Sequence, residues 1–366
     1  MHHLESNTVL ERVDNFFRDI TPQDKVCIIH DTDPDGICSA VIVAKGIERL
    51  RGKKIDLHLP IDKKNYGINK KMFSQLRKKK ITKLIICDFS LEHYLTQLNA
   101  AAELCSVLVI DHHKIYADIS TLPALFYKPQ LFSSVEPQQY CTAKLAYDAM
   151  TRLVDVSDLD WMAATASIAD IATQPWQTWL KQVFKKYKLS FASDLFATPL
   201  GQVAEIIQSV GIYNPALSKK SFETLFVARS HLDVRSSKLS HYKKIIDKEL
   251  LKHEKLFMTK KQASRELFYY ELSSPYSIQS SLSTILGLKY PHNTILIVNK
   301  NKSFVRISTR RGDGKKPVNL LLEQAIRGFA KSNAGGHVTA AAAGFPRKYL
   351  NTFKKRVIAV HKRGNI

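Results

Sequence analysis

Short apolar runs alternate with amphipathic stretches through the first 110 residues. Val26–His30, Ile55–Leu59, Lys83–Cys87 and Val107–Ile110 are brief and rich in Val, Ile and Leu, as strands buried in a sheet require. Helical patterns fall between them at Cys38–Leu50, Asn69–Lys79 and Leu91–Leu104. Strand and helix in strict alternation predict βαβ crossovers and a mainly parallel α/β sheet with helices on both faces. In such sheets reactive groups gather just beyond the carboxyl ends of strands. From about 141 to 258 the pattern is almost wholly helical, and Ser218 to Phe257 reads as one or two charged helices. Alternation resumes near Arg265, with strands at Leu267–Leu272, Thr294–Val298 and Phe304–Ser308 and helices near Ile278–Leu286 and Val318–Ala330. The expected organisation is a larger α/β domain over 1–215, a helical connector over 216–264 and a smaller α/β domain over 265–366.

The chain of 366 residues can hold two such domains, and its 45% hydrophobic and 24% charged residues suit a packed core. Charge narrows the choice of partner. The formal net charge is +22, and residues 301–366 alone carry 15 Lys and Arg against Asp313 and Glu323. A segment that basic concentrates polyanions, and points to a phosphate-binding face on a less biased body. The five cysteines show no CxxC or Cys/His spacing, which predicts free thiols, no zinc and a reducing cytoplasm. No membrane span or secretory leader is expected, since no apolar run is long enough and the N-terminus lacks the charged-then-apolar order.

The candidate chemistry lies where the alternation directs attention. After the first strand comes His30-Asp31-Thr32-Asp33-Pro34-Asp35-Gly36. Alternate positions in an extended segment put Asp31, Asp33 and Asp35 on one side, where like charges repel unless a cation neutralises them. A polar turn would use the same residue types. The next strand runs into Asp88, and the one after into Asp111-His112-His113. Ala163–Ala172 reads as a small-residue helix carrying a single acid, Asp170, which needs a partner. Such a set suits phosphodiester hydrolysis, in which two divalent ions acidify a water and hold the attacking and leaving oxygens. One imidazole among oxygen ligands favours manganese over magnesium or calcium.

Near the C-terminus, Phe304–Arg311 alternates as a strand, with Arg306, Ser308 and Arg310 on one face and Arg311 following. Guanidinium and hydroxyl groups on one face suit phosphate oxygens, although a charge-guarded edge strand would look the same. Gly335-Gly336-His337 follows, then Val-Thr, four alanines and Gly344. Paired glycines allow a ligand close to the backbone, and His337 could reach a base or phosphate; a bland tight turn beside a packed Ala helix is the alternative.

The series Asp-x-Asp-x-Asp-Gly, strand-terminal Asp, Asp-His-His and helical Asp resembles motifs I to IV of the DHH phosphoesterases, in the form most similar to RecJ-type nucleases. The C-terminal pair of features resembles the DHHA1 domain, except that Ala342 stands where that pattern usually has Gly. The resemblance implies that Asp33, Asp35, Asp88, His112 and Asp170 coordinate two metal ions, with Asp88 bridging and Asp31 an additional candidate. It further implies that Asp111 orients the histidines, that His113 faces the phosphate, and that Ser308, Arg310, Gly336 and His337 hold a substrate strand. The activity so implied is a manganese-dependent exonuclease on single-stranded DNA or RNA. A nanoRNase acting on very short oligonucleotides or nucleoside bisphosphates is the second reading. An inactive scaffold that binds the replicative GINS assembly is the third, and the full set of acids and histidines speaks against it.

Overall fold

The computed structural model describes residues 2–61, 67–116, 118–264 and 266–363, with side chains from residue 8 onward. Arg265, where the sequence pattern resumes its alternation, lies outside the described residues. The chain divides into two compact units, Met1–Lys243 and Lys244–Ile366.

In the first unit α1 (His2–Arg18) precedes β1 (Val26–His30), α2 (Pro34–Arg51), β2 (Leu57–Pro60), α3 (Lys70–Lys78), β3 (Lys83–Cys87), α4 (Leu95–Ala102), β4 (Ser106–Ile110) and β5 (Leu125–Tyr127). Helices then follow one another: α5 (Thr142–Thr151), α6 (Asp160–Ala169), α7 (Gln177–Lys186), α8 (Pro199–Tyr213), α9 (Ser218–Val227), α10 (His231–Arg235) and α11 (Leu239–Lys260), within which the division between units falls. The expected helix at Leu91–Leu104 is broken at Tyr94, where the backbone leaves helical geometry between a short 3₁₀ turn and α4. Ser218–Phe257 folds as three helices rather than one or two.

The strands pair in parallel in the order β2-β1-β3-β4-β5. Successive residues face opposite layers, as the two-residue strand period demands. Ile28, Ile85, Cys87, Leu108 and Ile110 join a core with α2, α5, α6 and α8, whereas Cys27, Ile29, Leu84, Ile86 and Val109 join one with α3 and α4. The sheet is therefore buried on both faces, which is why its strands read as continuous apolar runs. Because β1 lies between β2 and β3, the crossovers diverge there and open a crevice at the carboxyl ends of β1 and β3.

The second unit holds β6 (Gln262–Ser264), β7 (Leu267–Leu272), α12 (Gln279–Lys289), β8 (Thr294–Lys300), β9 (Phe304–Arg310), α13 (Val318–Ile326), β10 (Asn333–Gly336), β11 (Ala340–Pro346) and α14 (Leu350–Arg363). Its sheet runs β10-β11-β9-β8-β7-β6, with β7 and β8 parallel and the other pairs antiparallel. One face, including Leu296, Val298, Val305, Ile307 and Phe345, packs on α13 and α14. The other carries α12, whose Ser283 Oγ lies 2.8 Å from Ser308 Oγ. The four alanines form strand β11, not a helix. Their register with β9 runs unbroken from Ala340↔Arg310 to Pro346↔Phe304, so no bulge accompanies the displaced glycine.

A candidate metal and phosphoester site

The segment after β1 owes its shape to a tight turn into α2. Asp33 caps that helix, its Oδ1 accepting the Gly36 N–H at 3.0 Å, with Pro34 in the first turn where no donor is needed. Gly36 packs against Asp31 so closely that a Cβ would lie 2.8 Å from the Asp31 backbone. Asp31 turns its Oδ1 onto the Thr32 N–H at 2.6 Å. Asp35 is buried, and its two oxygens each accept a backbone N–H from the start of α5, Thr142 to Oδ2 and Ala143 to Oδ1, both at 2.7 Å. A helix N-terminus holding a carboxylate is favourable, and it fixes Asp35 from 107 residues away in sequence.

Asp88 leaves β3 with φ of +62°, a left-handed conformation uncommon for any residue but glycine. Its Oδ1 accepts from Thr142 Oγ1 at 2.9 Å. Backbone strain kept at a strand terminus is often functional. Asp170 follows the last turn of α6 rather than lying within the helix as the sequence suggested, and Ile171 after it has φ of +56°. A carboxylate at a helix C-terminus meets the negative end of the dipole, so nothing in α6 stabilises its charge.

His112 Nδ1 lies 3.2 Å from the Pro137 carbonyl. Donation to that carbonyl leaves Nε2 with its lone pair, 3.7 Å from Asp88 Oδ1 and 3.6 Å from Asp170 Oδ2. Possible ligand atoms within 4.8 Å of one another occur in Asp88, His112 and His113, in Asp35, His112 and Asp170, and in Asp31, Asp33 and Asp88. Asp88 belongs to two of these groups. Burial pushes the Asp88 carboxyl well above its usual range, and Asp35, Asp33, Asp170 and Asp31 push it further. Asp170 is raised in the same way by burial and then by Asp35, Asp33 and Asp31. Burial and mutual repulsion oppose ionisation of such a cluster, and a cation would relieve both; oxygen donors with one imidazole nitrogen are the donor set a divalent transition metal accepts.

His113 is more exposed. Its Nδ1 pairs with Asp111 Oδ1 at 2.6 Å, so Nε2 is the atom available to a ligand. Burial alone would lower its pKa, but the Asp111 carboxylate raises it to about 9. Burial likewise works against the Asp111 charge, and His113 and Lys128 outweigh it and hold the carboxyl well below its usual range.

Lys128, Glu92, Ser90 and Thr142 were not among the residues singled out from sequence. Lys128 is fully buried, its Nζ 2.6 Å from Asp111 Oδ2, 3.1 Å from the His113 carbonyl and 2.5 Å from Glu92 Oε1. Ser90 Oγ donates to Asp111 Oδ2 at 2.9 Å. The one sequence signal is a lysine directly after β5, and β5, three residues long, is too short to show a strand period. Removing this cation would strand two buried carboxylates. Lys128→Met is therefore expected to destabilise the first unit by about 3–5 kcal/mol, read from the urea midpoint. A midpoint within error of the parent would overturn the account of this network.

In the second unit Ser308 is buried under α12, and Arg310 is half-buried beside it. The Arg310 guanidinium meets neutral groups: the Thr309 carbonyl at 2.9 Å, Ser308 Oγ at 3.3 Å and Ser280 Oγ at 3.5 Å. Burial lowers its pKa, and no carboxylate among the described residues is recorded within ion-pair distance of it. Arg311, one residue on, points the other way. It is 2% exposed and bound to Asp313 at 2.7 Å and Glu266 at 2.9 Å. Arg306 is exposed. Gly335 and Gly336 end β10, on the same rungs as Ala342 and Ala341, and Ala342 pairs in turn with Ser308. Gly336 has φ of +134°, and a Cβ there would lie 2.5 Å from the Ala340 carbonyl, so the close hairpin requires glycine. His337 sits exposed at that turn, its N–H donating to Ala340 O at 2.7 Å.

Crossovers that diverge at β1 and β3, with clustered acids and an Asp-His-His strand end, define the class. Residues 25–174, within the first unit, match the model of the DHH family, N-terminal domain. Solved structures of similar fold include RecJ. The protein is similar to RecJ of Thermus thermophilus in complex with Mn²⁺, with a TM-score of 0.71 and 15% identity over 97% of this chain and 55% of that chain. It therefore spans about half the length of the Thermus protein. A manganese-bound exonuclease RecJ gives a TM-score of 0.69 and 17% identity, covering 97% of this chain and 94% of that one. PggH, a pGpG-specific phosphodiesterase from Vibrio cholerae, gives 0.54 and 14%, covering 93% and 100%. At these identities the likeness is one of fold. No curated protein matches the chain. Among the described residues no helix is long and apolar enough to cross a membrane.

Proposed function

We propose that the protein is a manganese-dependent exonuclease that hydrolyses single-stranded DNA or RNA from an end. The observation that carries this reading is the gathering of Asp35, Asp88 and Asp170 about His112, with Asp31 and Asp33 grouped in turn about Asp88. In this reading Asp33, Asp35, Asp88, His112 and Asp170 hold two divalent ions, Mn²⁺ ahead of Mg²⁺, with Asp88 shared and Asp31 in reserve. A bound metal pair would supply charge relief at the phosphate and a water of lowered pKa. The remaining work falls to the chain's own groups. Asp111, fixed by Lys128 and Ser90, holds His113 so that Nε2 can donate to a phosphate or leaving oxygen. Ser308, Arg310, Gly336, His337 and exposed Arg306 bind the strand; Arg311 is left out, because its guanidinium is committed to Asp313 and Glu266.

A second reading, hydrolysis of very short oligonucleotides, draws support from the likeness to PggH, which covers that whole chain. Both readings need metal. Activity on end-labelled strands is expected to vanish in excess EDTA and to return best with Mn²⁺. Without substrate, Mn²⁺ should also raise Tm, since it binds the folded site alone and offsets repelling carboxylates. Full activity in EDTA would remove the metal mechanism.

A further inference from the structure

We infer that the groove between α13 and α14 is a second binding site for the sugar-phosphate backbone of a nucleic acid strand, separate from the Arg310 surface. The groove has a volume of about 440 Å³, opens to solvent, and is lined by Gln324, Arg327, Arg356, Ala359, Val360 and Arg363. The lining contains three guanidinium groups and no acid. None of the three has a carboxylate recorded within ion-pair distance among the described residues, in contrast to Arg311. Arg327 and Arg363 stand at helix C-termini, where each dipole offsets about half a charge. That leaves roughly two positive charges to be met from outside.

Arg356 is built into place. Its guanidinium carbon lies 5.1 Å from the centroid of Phe329, which itself stacks on Tyr349 at 4.4 Å, and Nη1 donates to the Arg327 carbonyl at 2.7 Å. The stacked, tethered fork keeps its other N–H groups for an acceptor, at little further loss of side-chain freedom. An anionic membrane surface fits less well: among the described residues Leu320 of α13 is the single exposed large hydrophobic side chain on these two helices, and interfacial helices need a whole face of them. A phosphodiester chain needs only successive oxygens along an open basic groove.

The position in the fold gives this site a role that deepens the exonuclease reading, on which that role rests. Ser308 and Arg310 face α12, whereas α13 and α14 cover the opposite face of the same sheet. A strand bound at Arg310 must pass the sheet edge to reach the groove, so long substrates engage both surfaces and short ones only the first.

The test is fluorescence anisotropy of the whole protein in EDTA, where no cleavage is expected, with labelled single strands of six and thirty nucleotides over a range of NaCl. Arg327→Ala/Arg356→Ala/Arg363→Ala should weaken binding of the thirty-mer at low salt by about tenfold or more. It should lower the magnitude of the log–log salt slope by about 2, at roughly 0.7 per lost phosphate contact. Binding of the six-mer should stay within about twofold. Because Arg356 also packs on Phe329, Arg327→Glu/Arg363→Glu provides a variant that leaves that stack intact, and it should show the same selective loss. An unchanged thirty-mer slope in both variants overturns the proposal, as does an equal loss on the six-mer. Retention of strand binding alongside weakened binding to phosphatidylserine vesicles would overturn it too, in favour of a membrane. Binding is read without turnover, so a protein that binds as expected but cleaves nothing with Mn²⁺ would refute the exonuclease reading alone.

Discussion

In an Asp88→Asn protein, turnover with Mn²⁺ is expected to fall by about a thousandfold or more, while strand binding in EDTA stays within about twofold. The carboxylate of Asp88 lies in two of the three clusters of candidate ligands, so its loss weakens both proposed metal positions at once. Asparagine is the informative replacement. It tolerates the left-handed backbone that Asp88 adopts, at φ of +62°, better than alanine, and it keeps an oxygen able to accept from Thr142 Oγ1. Folding should not suffer. Without metal the variant is expected to melt at or above the parent temperature, because a carboxyl whose ionisation is opposed by burial and by Asp35, Asp33 and Asp170 has been replaced by a neutral amide. With Mn²⁺ added, the parent should gain stability and the variant little. Activity above about a tenth of the parent value would dispose of a shared role for Asp88, and a large fall in metal-free Tm would show that the residue is chiefly structural.

Arg310→Ala separates the two proposed substrate classes. Its guanidinium has hydroxyl and carbonyl partners and, among the described residues, no carboxylate within ion-pair distance, so a phosphate is the strongest acceptor it could gain. If long strands are the substrate, the variant should mainly raise KM on strands of about twenty nucleotides, with the loss shrinking toward dinucleotides. The salt slope should fall in magnitude by about 0.7, one phosphate contact on a single strand. A nanoRNase would do the reverse, since its whole substrate would lie against Ser308, Arg310 and His337. Kinetics over a ladder from two to twenty nucleotides decides the matter, and a loss as large or larger at the shortest lengths would transfer the assignment to the second reading.

Much of this was legible in local pattern. The runs Val26–His30 and Lys83–Cys87 match β1 and β3 to the residue, because a strand buried on both faces shows an uninterrupted apolar centre, with the polar His30 and Lys83 at its margins. The acids stand directly after those runs, so alternation alone identified Asp31–Asp35, Asp88 and Asp111–His113 as lying at strand ends. Short strands and strands of low β propensity leave too little local signal to be read. Strand β5 is only three residues long, and the alanines of β11 carry so little β propensity that they resemble a helix.

By itself the sequence determined which groups could act: the acids and histidines at strand ends, the basic excess after residue 300, and a two-part α/β chain. Tertiary structure alone decided how they meet. The order β2-β1-β3-β4-β5 sets Asp88 beside the acids after β1, and the N-terminus of α5 brings Thr142 and Ala143 to Asp35. Burial made Lys128 the counter-charge to Asp111 and Glu92, and it told Arg310 from Arg311, adjacent in sequence yet opposite in their partners. The reason is one of range. Periodicity is a property of a few neighbouring residues and is written in their order, whereas strand order, desolvation and charge pairing depend on groups distant along the chain that only packing brings within a few ångströms.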